Sequence, residues 1–245
     1  MTVMPASLRF SLVLPIYNEE ENVHNLLAEV EEVLRAHGPF EVLAVDDGSK
    51  DGSLQRMRAW KREHTASWLR IVVLEKNCGQ SAAVMAGAEQ AQAAIVATMD
   101  ADMQNDPRDL PAMVARVESG ECDAVVGVRR VRQDTFTRRL SSKIGNGVRN
   151  WVTGDRVTDA ACGIKAIRRE FFLRVPRFVG MHRFMATLVR YLGGKVAEMD
   201  VHHRPRAAGT AKYGIGNRAL KGLRDCFAIR WMKTRVLKHR VKEEF

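Results

Sequence analysis

The stretch Ile95-Val96-Ala97-Thr98-Met99-Asp100-Ala101-Asp102-Met103-Gln104 joins five apolar or near-apolar residues directly to a carboxylate-rich turn. Its first half predicts a short buried strand, and its second half a polar loop at the strand's carboxyl end. The same join recurs on either side. Apolar runs at Leu8 to Leu14, Val42 to Val45, Ile71 to Leu74 and Ala124 to Val128 are also bounded by turn formers. Between them, Glu20 to His37, Ser53 to His64, Ser81 to Gln92 and Leu110 to Ser119 carry apolar residues at helical spacing with charged outer faces. This rhythm predicts an α/β fold on a doubly wound, mainly parallel central sheet. In such sheets ligands gather outside the carboxyl ends of the strands, so the loops there are the place to seek chemistry.

After Arg129 the pattern loosens into the basic run Arg129-Arg130-Val131-Arg132. A helical segment from Phe136 to Trp151 follows, and a further strand is predicted from Lys195 to Val201. The last stretch, Asn217 to Arg240, places Leu220, Leu223, Phe227 and Trp231 near one helical face with eight lysines or arginines largely around it. That composition predicts a basic amphipathic helix, which either lies at a membrane interface or packs on the domain and exposes a solvated face. The expected division is a catalytic domain over 1–216 and a basic C-terminal segment over 217–245.

The chain has 245 residues, 46% of them hydrophobic, enough for one domain with a proper core. Its formal charge of +10 predicts attraction to anionic partners without choosing among phosphates, nucleic acid and lipid. Cys78, Cys122, Cys162 and Cys226 are scattered and form no metal-ligand or disulfide spacing, which fits a reducing cytoplasm. The opening residues lack a signal-peptide layout, and no run of about 18 apolar residues is present to span a bilayer.

Alternation along a strand sends Asp100 and Asp102 the same way at the sheet edge, and two aligned carboxylates invite a hard divalent cation. Gln104 adds a neutral oxygen. The plainer reading is a polar turn closing a strand. Asp46-Asp47-Gly48-Ser49 also follows a strand, where an acidic side chain can bond a ribose or base edge, although Asp-Gly-Ser equally makes an ordinary turn. Beyond the first strand, Pro15, Tyr17, Asn18 and Glu19 offer a ring to stack on a base, with Asn18 alternatively capping the next helix. Neither G-x-G-x-x-G after the first strand nor G-x-x-x-x-G-K-[ST] occurs, against a nicotinamide dehydrogenase or a P-loop NTPase. There is no G-x-S-x-G elbow for a serine hydrolase. His182, His202 and His203 lack a metal-ligand pattern and are read as structural or substrate-contacting, and Met99, Met103 and Met113 as packing residues.

These loops resemble the family-2 glycosyltransferases, in particular the branch of dolichyl-phosphate mannose synthase and its bacterial polyprenyl-phosphate relatives. The resemblance runs through Pro15-x-Tyr17-Asn18-Glu19, Asp46-Asp47-Gly48-Ser49, Asn77-x-Gly79-Gln80 and Asp100-Ala101-Asp102-Met103-Gln104-x-Asp106-Pro107. It continues through Thr158-Asp159-x-x-Cys162-Gly163, His182-Arg183-Phe184, and Arg206 before Lys212-Tyr213. It implies a nucleotide-sugar-binding domain of GT-A type. Pro15, Tyr17, Glu19, Asp46, Gln80 and Asp100 would hold the nucleotide sugar, with Arg206 and Lys212 on its diphosphate. Asp100, Asp102 and Gln104 would hold Mg2+ or Mn2+, and Arg129, Arg138 and Ser142 the phosphate of a polyprenyl acceptor. Asp102, Arg129 and Arg206 would be the catalytic residues.

The implied reaction is inverting transfer of a hexose from GDP-mannose or a UDP-sugar to a dolichyl- or undecaprenyl-type phosphate, by an enzyme held peripherally at the cytoplasmic membrane surface. Two departures stand out. The family's serine before Lys-Tyr is Ala211 here, and many relatives carry transmembrane helices after the catalytic domain. Membrane residence then falls to the basic C-terminal helix or to a membrane-bound protein partner. The competing readings are transfer to a soluble or cell-envelope glycan hydroxyl, with Asp159 as general base, and a non-catalytic anion-binding module. No motif for nucleic-acid binding supports the latter, and nucleic acid is not an expected partner.

Overall fold

The computed structural model describes the backbone of residues 8–130, 136–205 and 216–235, and side chains over 8–130, 145–205 and 222–235. Arg206 and Lys212 lie outside the described residues, as do the side chains of Arg138 and Ser142.

The apolar runs form strands as their pattern predicts. β1 (Phe10–Ile16), β2 (Phe40–Asp46), β3 (Leu69–Val73) and β4 (Ile95–Thr98) pair in parallel. Between them run α1 (Glu20–Leu34), α2 (Ser53–Glu63) and α3 (Gln80–Gln90), and α4 (Leu110–Glu118) leads to β5 (Ala124–Val128). Alternate residues of each strand feed opposite cores. Phe10, Leu12, Leu14 and Ile16 pack with Leu26, Trp60 and Met113 on one face. Val13, Leu43 and Val45 pack with Val84, Met185 and Leu188 on the other. Both faces being covered explains why these strands read as nearly continuous apolar runs.

The second half departs from the simple alternation. α5 (Phe136–Thr153) is followed by β6 (Lys165–Arg168), α6 (Arg169–Arg174), α7 (Met185–Tyr191), β7 (Val196–Asp200) and α8 (Gly216–Met232). β6, which the apolar pattern does not announce, inserts antiparallel between β4 and β5, giving the order β3-β2-β1-β4-β6-β5-β7. β7 then joins β5 in parallel. Because β6 runs backward, the loop entering it, Asp159 to Ile164, arrives at the carboxyl edge of β4, beside Asp100. α8 rests on α5, with Cys226 and Ile229 buried and Leu223, Phe227 and Trp231 exposed. Among the described residues no helix is long and apolar enough to cross a membrane.

Candidate active site

Four parallel strands end on one edge, and their loops are laced together there. The loop after β1 bonds the loop after β2: Asn18 N–H donates to Ser49 Oγ (3.0 Å), and Lys50 N–H to Asn18 Oδ1 (2.7 Å). Asn18, at φ 52°, is therefore a cross-loop tie. Glu19 N–H donates to Ser53 Oγ (2.8 Å), and the Glu19 carboxylate accepts from Asn22 Nδ2 (2.7 Å). The loop after β2 in turn holds the loop after β3. Asp47, buried, accepts from Cys78 N–H (2.7 Å), Gly79 N–H (2.8 Å) and Asn77 Nδ2 (3.0 Å). Gly48, at φ 65°, lies so close that a Cβ would meet Asn77 N at 2.6 Å, so both its conformation and its lack of a side chain are required. Its neighbour Asp46 is also buried, with Oδ1 3.4 Å from Ser49 N–H.

This lacing brings Gln80, at the start of α3, to Asp100, where its Nε2 donates to Oδ1 at 2.7 Å. Asp100 sits in a small recess where Gln80, Lys165 and His182 meet Pro15, Gly163 and the apolar Val84, Phe172 and Met185. Gly163 presses against it: a Cβ there would fall 2.1 Å from Asp100 Oδ2. The glycine is held in place by Thr98 Oγ1, which donates to its carbonyl at 2.9 Å. The sequence offered Gly163 only as part of a motif, and its role comes from the antiparallel return of β6.

Asp100 and Glu41 shift in opposite directions. Burial raises its carboxyl above the usual range, against the pull of Lys165, with Asp102 adding to the rise and Arg129 and Gln80 opposing it. Glu41, at the opposite sheet edge, also meets burial, yet bonds from Ser11, Arg70 and the Gln92 N–H outweigh it and hold its carboxyl below the usual range. At Asp100, burial outweighs the nearby cations Lys165 and Arg129. Lys165, fully enclosed, donates to Cys162 O, and burial lowers its ammonium from the ordinary value. Burial likewise pushes His182 down to about 3, with Lys165 and Arg183 adding to the effect. A neutral His182 pairs its Nδ1 with Ser81 Oγ at 2.7 Å, and Ser81 Oγ also accepts from Gly180 N–H.

On the other side of the Asp159 to Ile164 loop, Arg129 and Asp159 form a two-pronged pair, Nε to Oδ2 at 2.7 Å and Nη2 to Oδ1 at 2.9 Å. Their side chains are 13% and 6% exposed. Burial works against the Arg129 cation, but Asp159 overcomes it and raises the guanidinium above its ordinary value. Asp159, weighed from sequence as a general base, is here the anchor of an arginine.

The Asp102 loop turns sharply, with Met103 at φ 61°. Asp102 Oδ1 accepts from Gln104 N–H at 3.3 Å. Gln104 directs its side-chain Nε2 to Arg204 O (3.4 Å), and its backbone carbonyl accepts from Arg204 N–H (2.9 Å). An isolated bridge between Asn105 and His203 continues this contact. The segment leading to Arg206 therefore leaves from beside the carboxylate loop. His202 bonds Asp109 at 2.8 Å, which raises its imidazole above the usual value, a structural role. Met99 and Met113 are core residues.

Compared with known proteins, the chain matches the family described as Glycosyl transferase family 2 over residues 11–175. It is 38% identical over 228 residues to the dodecaprenyl-phosphate galacturonate synthase of Rhizobium johnstonii, covering 91% of this chain and 67% of that protein. It is 36% identical over 208 residues to the undecaprenyl-phosphate 4-deoxy-4-formamido-L-arabinose transferase of Shewanella sediminis, covering 84% and 62%. The chain thus spans 62% to 67% of the length of these curated relatives. Among solved structures it is similar to a mannosyltransferase from Pyrobaculum calidifontis in complex with GDP-Man and Mn2+. That match has TM-score 0.66 and 20% identity, and covers 96% of this chain and 66% of the other. It is also similar to glucosyl-3-phosphoglycerate synthase from Mycobacterium tuberculosis in complex with Mn2+, UDP and glucosyl-3-phosphoglycerate, with TM-score 0.67, 18% identity, and coverage of 94% and 81%. At these identities the solved structures share the fold.

Proposed function

This chain belongs to glycosyl transferase family 2, and from that premise we propose that it moves a sugar from a nucleotide diphosphate sugar to a polyprenyl phosphate, with inversion at the anomeric carbon. The observation that carries this reading is the Arg129–Asp159 pair within electrostatic reach of Asp100. A hydroxyl acceptor needs a general base, and Asp159 is committed to an arginine. A phosphomonoester acceptor has its second pKa at about 6, is largely ionised at neutral pH, and needs a cation to seat it. Asp159 takes two of the five guanidinium N–H groups, leaving Arg129 three with which to hold such a phosphate. The curated relatives are named for transfer to dodecaprenyl and undecaprenyl phosphate, which supports the same acceptor class.

The loops after β1, β2 and β3 cradle the nucleotide in this reading, with Tyr17 against the base and Gln80 holding Asp100 towards the diphosphate. Asp100 and Asp102 suit a hard divalent cation: both are oxygen donors at the carboxyl edge of β4, within electrostatic reach of one another. Asp100 and Asp102, with Gln104, would hold the cation, and a hard cation of this kind ordinarily leaves places for substrate phosphates. Bound there, Mg2+ or Mn2+ neutralises the charge that grows on the departing diphosphate. Arg206 and Lys212 are assigned the same task. The enzyme works at the membrane surface, with 217–245 as its interfacial segment.

The test is a panel of GDP- and UDP-sugars, covering hexose, uronate and 4-formamido-pentose donors, with a short polyprenyl phosphate and Mn2+ or Mg2+. Glycolipid is read by mass spectrometry, and its anomeric configuration by NMR. Product from one donor, reduced by about a hundredfold or more in Asp102→Ala, is expected. Product that retains the donor's configuration, or turnover only with hydroxyl acceptors, would overturn the reading.

A further inference from the structure

Two helices carry glycine where no described residue demands it. Gly145 in α5 and Gly222 in α8 each cost about 1 kcal/mol relative to alanine in a helix interior. Among the described residues, a Cβ at either would meet nothing within 4 Å. Both line a groove of about 400 Å3 between the two helices, walled also by Ala160, Arg149, Arg183 and Phe184. The space is of ligand size.

Its deep end holds surplus positive charge. Arg149 is only 6% exposed. It donates to Asn150 Oδ1 (3.2 Å) and Thr187 Oγ1 (2.6 Å), neither of them an anion, and its Nε has no partner. The acid behind Thr187 is Asp155, and that carboxylate is already paired with Arg190. Arg183 is matched by Asp225 at 2.8 Å, again with Nε unpaired. Arg149, Arg183 and Arg190 thus face two carboxylates, Asp155 and Asp225. Burial lowers the Arg149 guanidinium from its ordinary value, as expected of an under-compensated cation.

The same two helices expose aromatic rings, with Trp151 78%, Phe227 56% and Trp231 63% exposed and Arg230, Lys233 and Arg235 nearby in sequence on the C-terminal segment. The groove is also set apart from the reacting centre. Successive residues of a 3-10 turn diverge by about 120°. His182 lines the Asp100 recess, whereas Arg183 reaches Asp225 on α8.

We propose that the α5–α8 groove binds an anionic glycerophospholipid of the bilayer, its headgroup phosphate drawn down to Arg149 and Arg183 and its acyl chains leaving past Trp151 and Phe227. Gly145 and Gly222 keep the headgroup's space open. The groove adjoins the loop that holds Asp159 and Arg129, with Ala160 and Ala161 in its wall, and its occupancy does not depend on which sugar is transferred.

The full chain is tested by flotation with phosphatidylcholine vesicles with and without phosphatidylglycerol. Gly222→Leu fills the groove without changing charge and should raise helix stability. It is expected to cut the preference for phosphatidylglycerol by about tenfold, the equivalent of one good ionic contact. Arg183→Gln should do the same, while detergent-solubilised donor turnover in Gly222→Leu stays at the wild-type rate. Unchanged lipid preference in a folded Gly222→Leu overturns the proposal. Displacement of phosphatidylglycerol by equimolar farnesyl phosphate would also overturn it, giving the groove to the acceptor. Equal occupancy by inorganic phosphate alone would overturn the lipid source.

Discussion

Gly163 is a residue whose role is set by another chain segment. A single methyl there would lie 2.1 Å from Asp100 Oδ2, so Gly163→Ala must displace either the carboxylate or the loop. Turnover is expected to fall by about a hundredfold while the circular dichroism spectrum stays native, since misplacement by about 1 Å costs that much. Activity within a few-fold of wild type would show the loop can yield without moving Asp100. The two neighbouring aspartates of the second loop have different partners. Asp46 is buried beside Ser49, and Asp47 takes three bonds from the next loop. From sequence both are simply acids after a strand, because the partner that distinguishes them lies thirty residues away. Arg129 and Asp159 were each legible as candidates, but their pairing was not.

At the scale of elements, the carboxyl-edge loops act as one latched unit, and Asp47 is the latch. Asp47→Ala leaves the N–H groups of Cys78 and Gly79 without their acceptor. A loss of about 2–4 kcal/mol in urea unfolding is expected, with Asp47→Asn retaining part of it. A change under about 0.5 kcal/mol would mean water replaces the carboxylate at no cost. The strands of the first half were readable because each is buried on both faces and bounded by polar turns. β6 was not: Lys165-Ala166-Ile167-Arg168 is four residues long, polar at both ends, and becomes a strand by pairing with β4 on one side and β5 on the other. In α8, helical spacing identified Leu223, Phe227 and Trp231 as a stripe. That the adjacent Cys226 and Ile229 dock on the domain, leaving the stripe outward, depends on where α5 lies.

For the whole molecule, a formal charge of +10 and an exposed aromatic stripe on α8 predict adsorption to anionic membranes. Vesicle binding should weaken progressively as salt rises from 50 mM towards 500 mM, because exposed charges are screened beyond a Debye length of about 10 Å at 0.1 M. Binding indifferent to salt would assign adsorption to the apolar stripe alone. Family, reaction class, the α/β architecture and the carboxylate loop were all determined by sequence, since strand periodicity and loop chemistry are local properties carried by consecutive residues. Only the tertiary structure decided that Asp47 latches the next loop, that Asp159 anchors Arg129, that a glycine from the loop entering an antiparallel strand backs Asp100, and that α5 and α8 enclose a charged groove. Each of these is a contact between distant segments, and burial and electrostatic compensation act through distance in space.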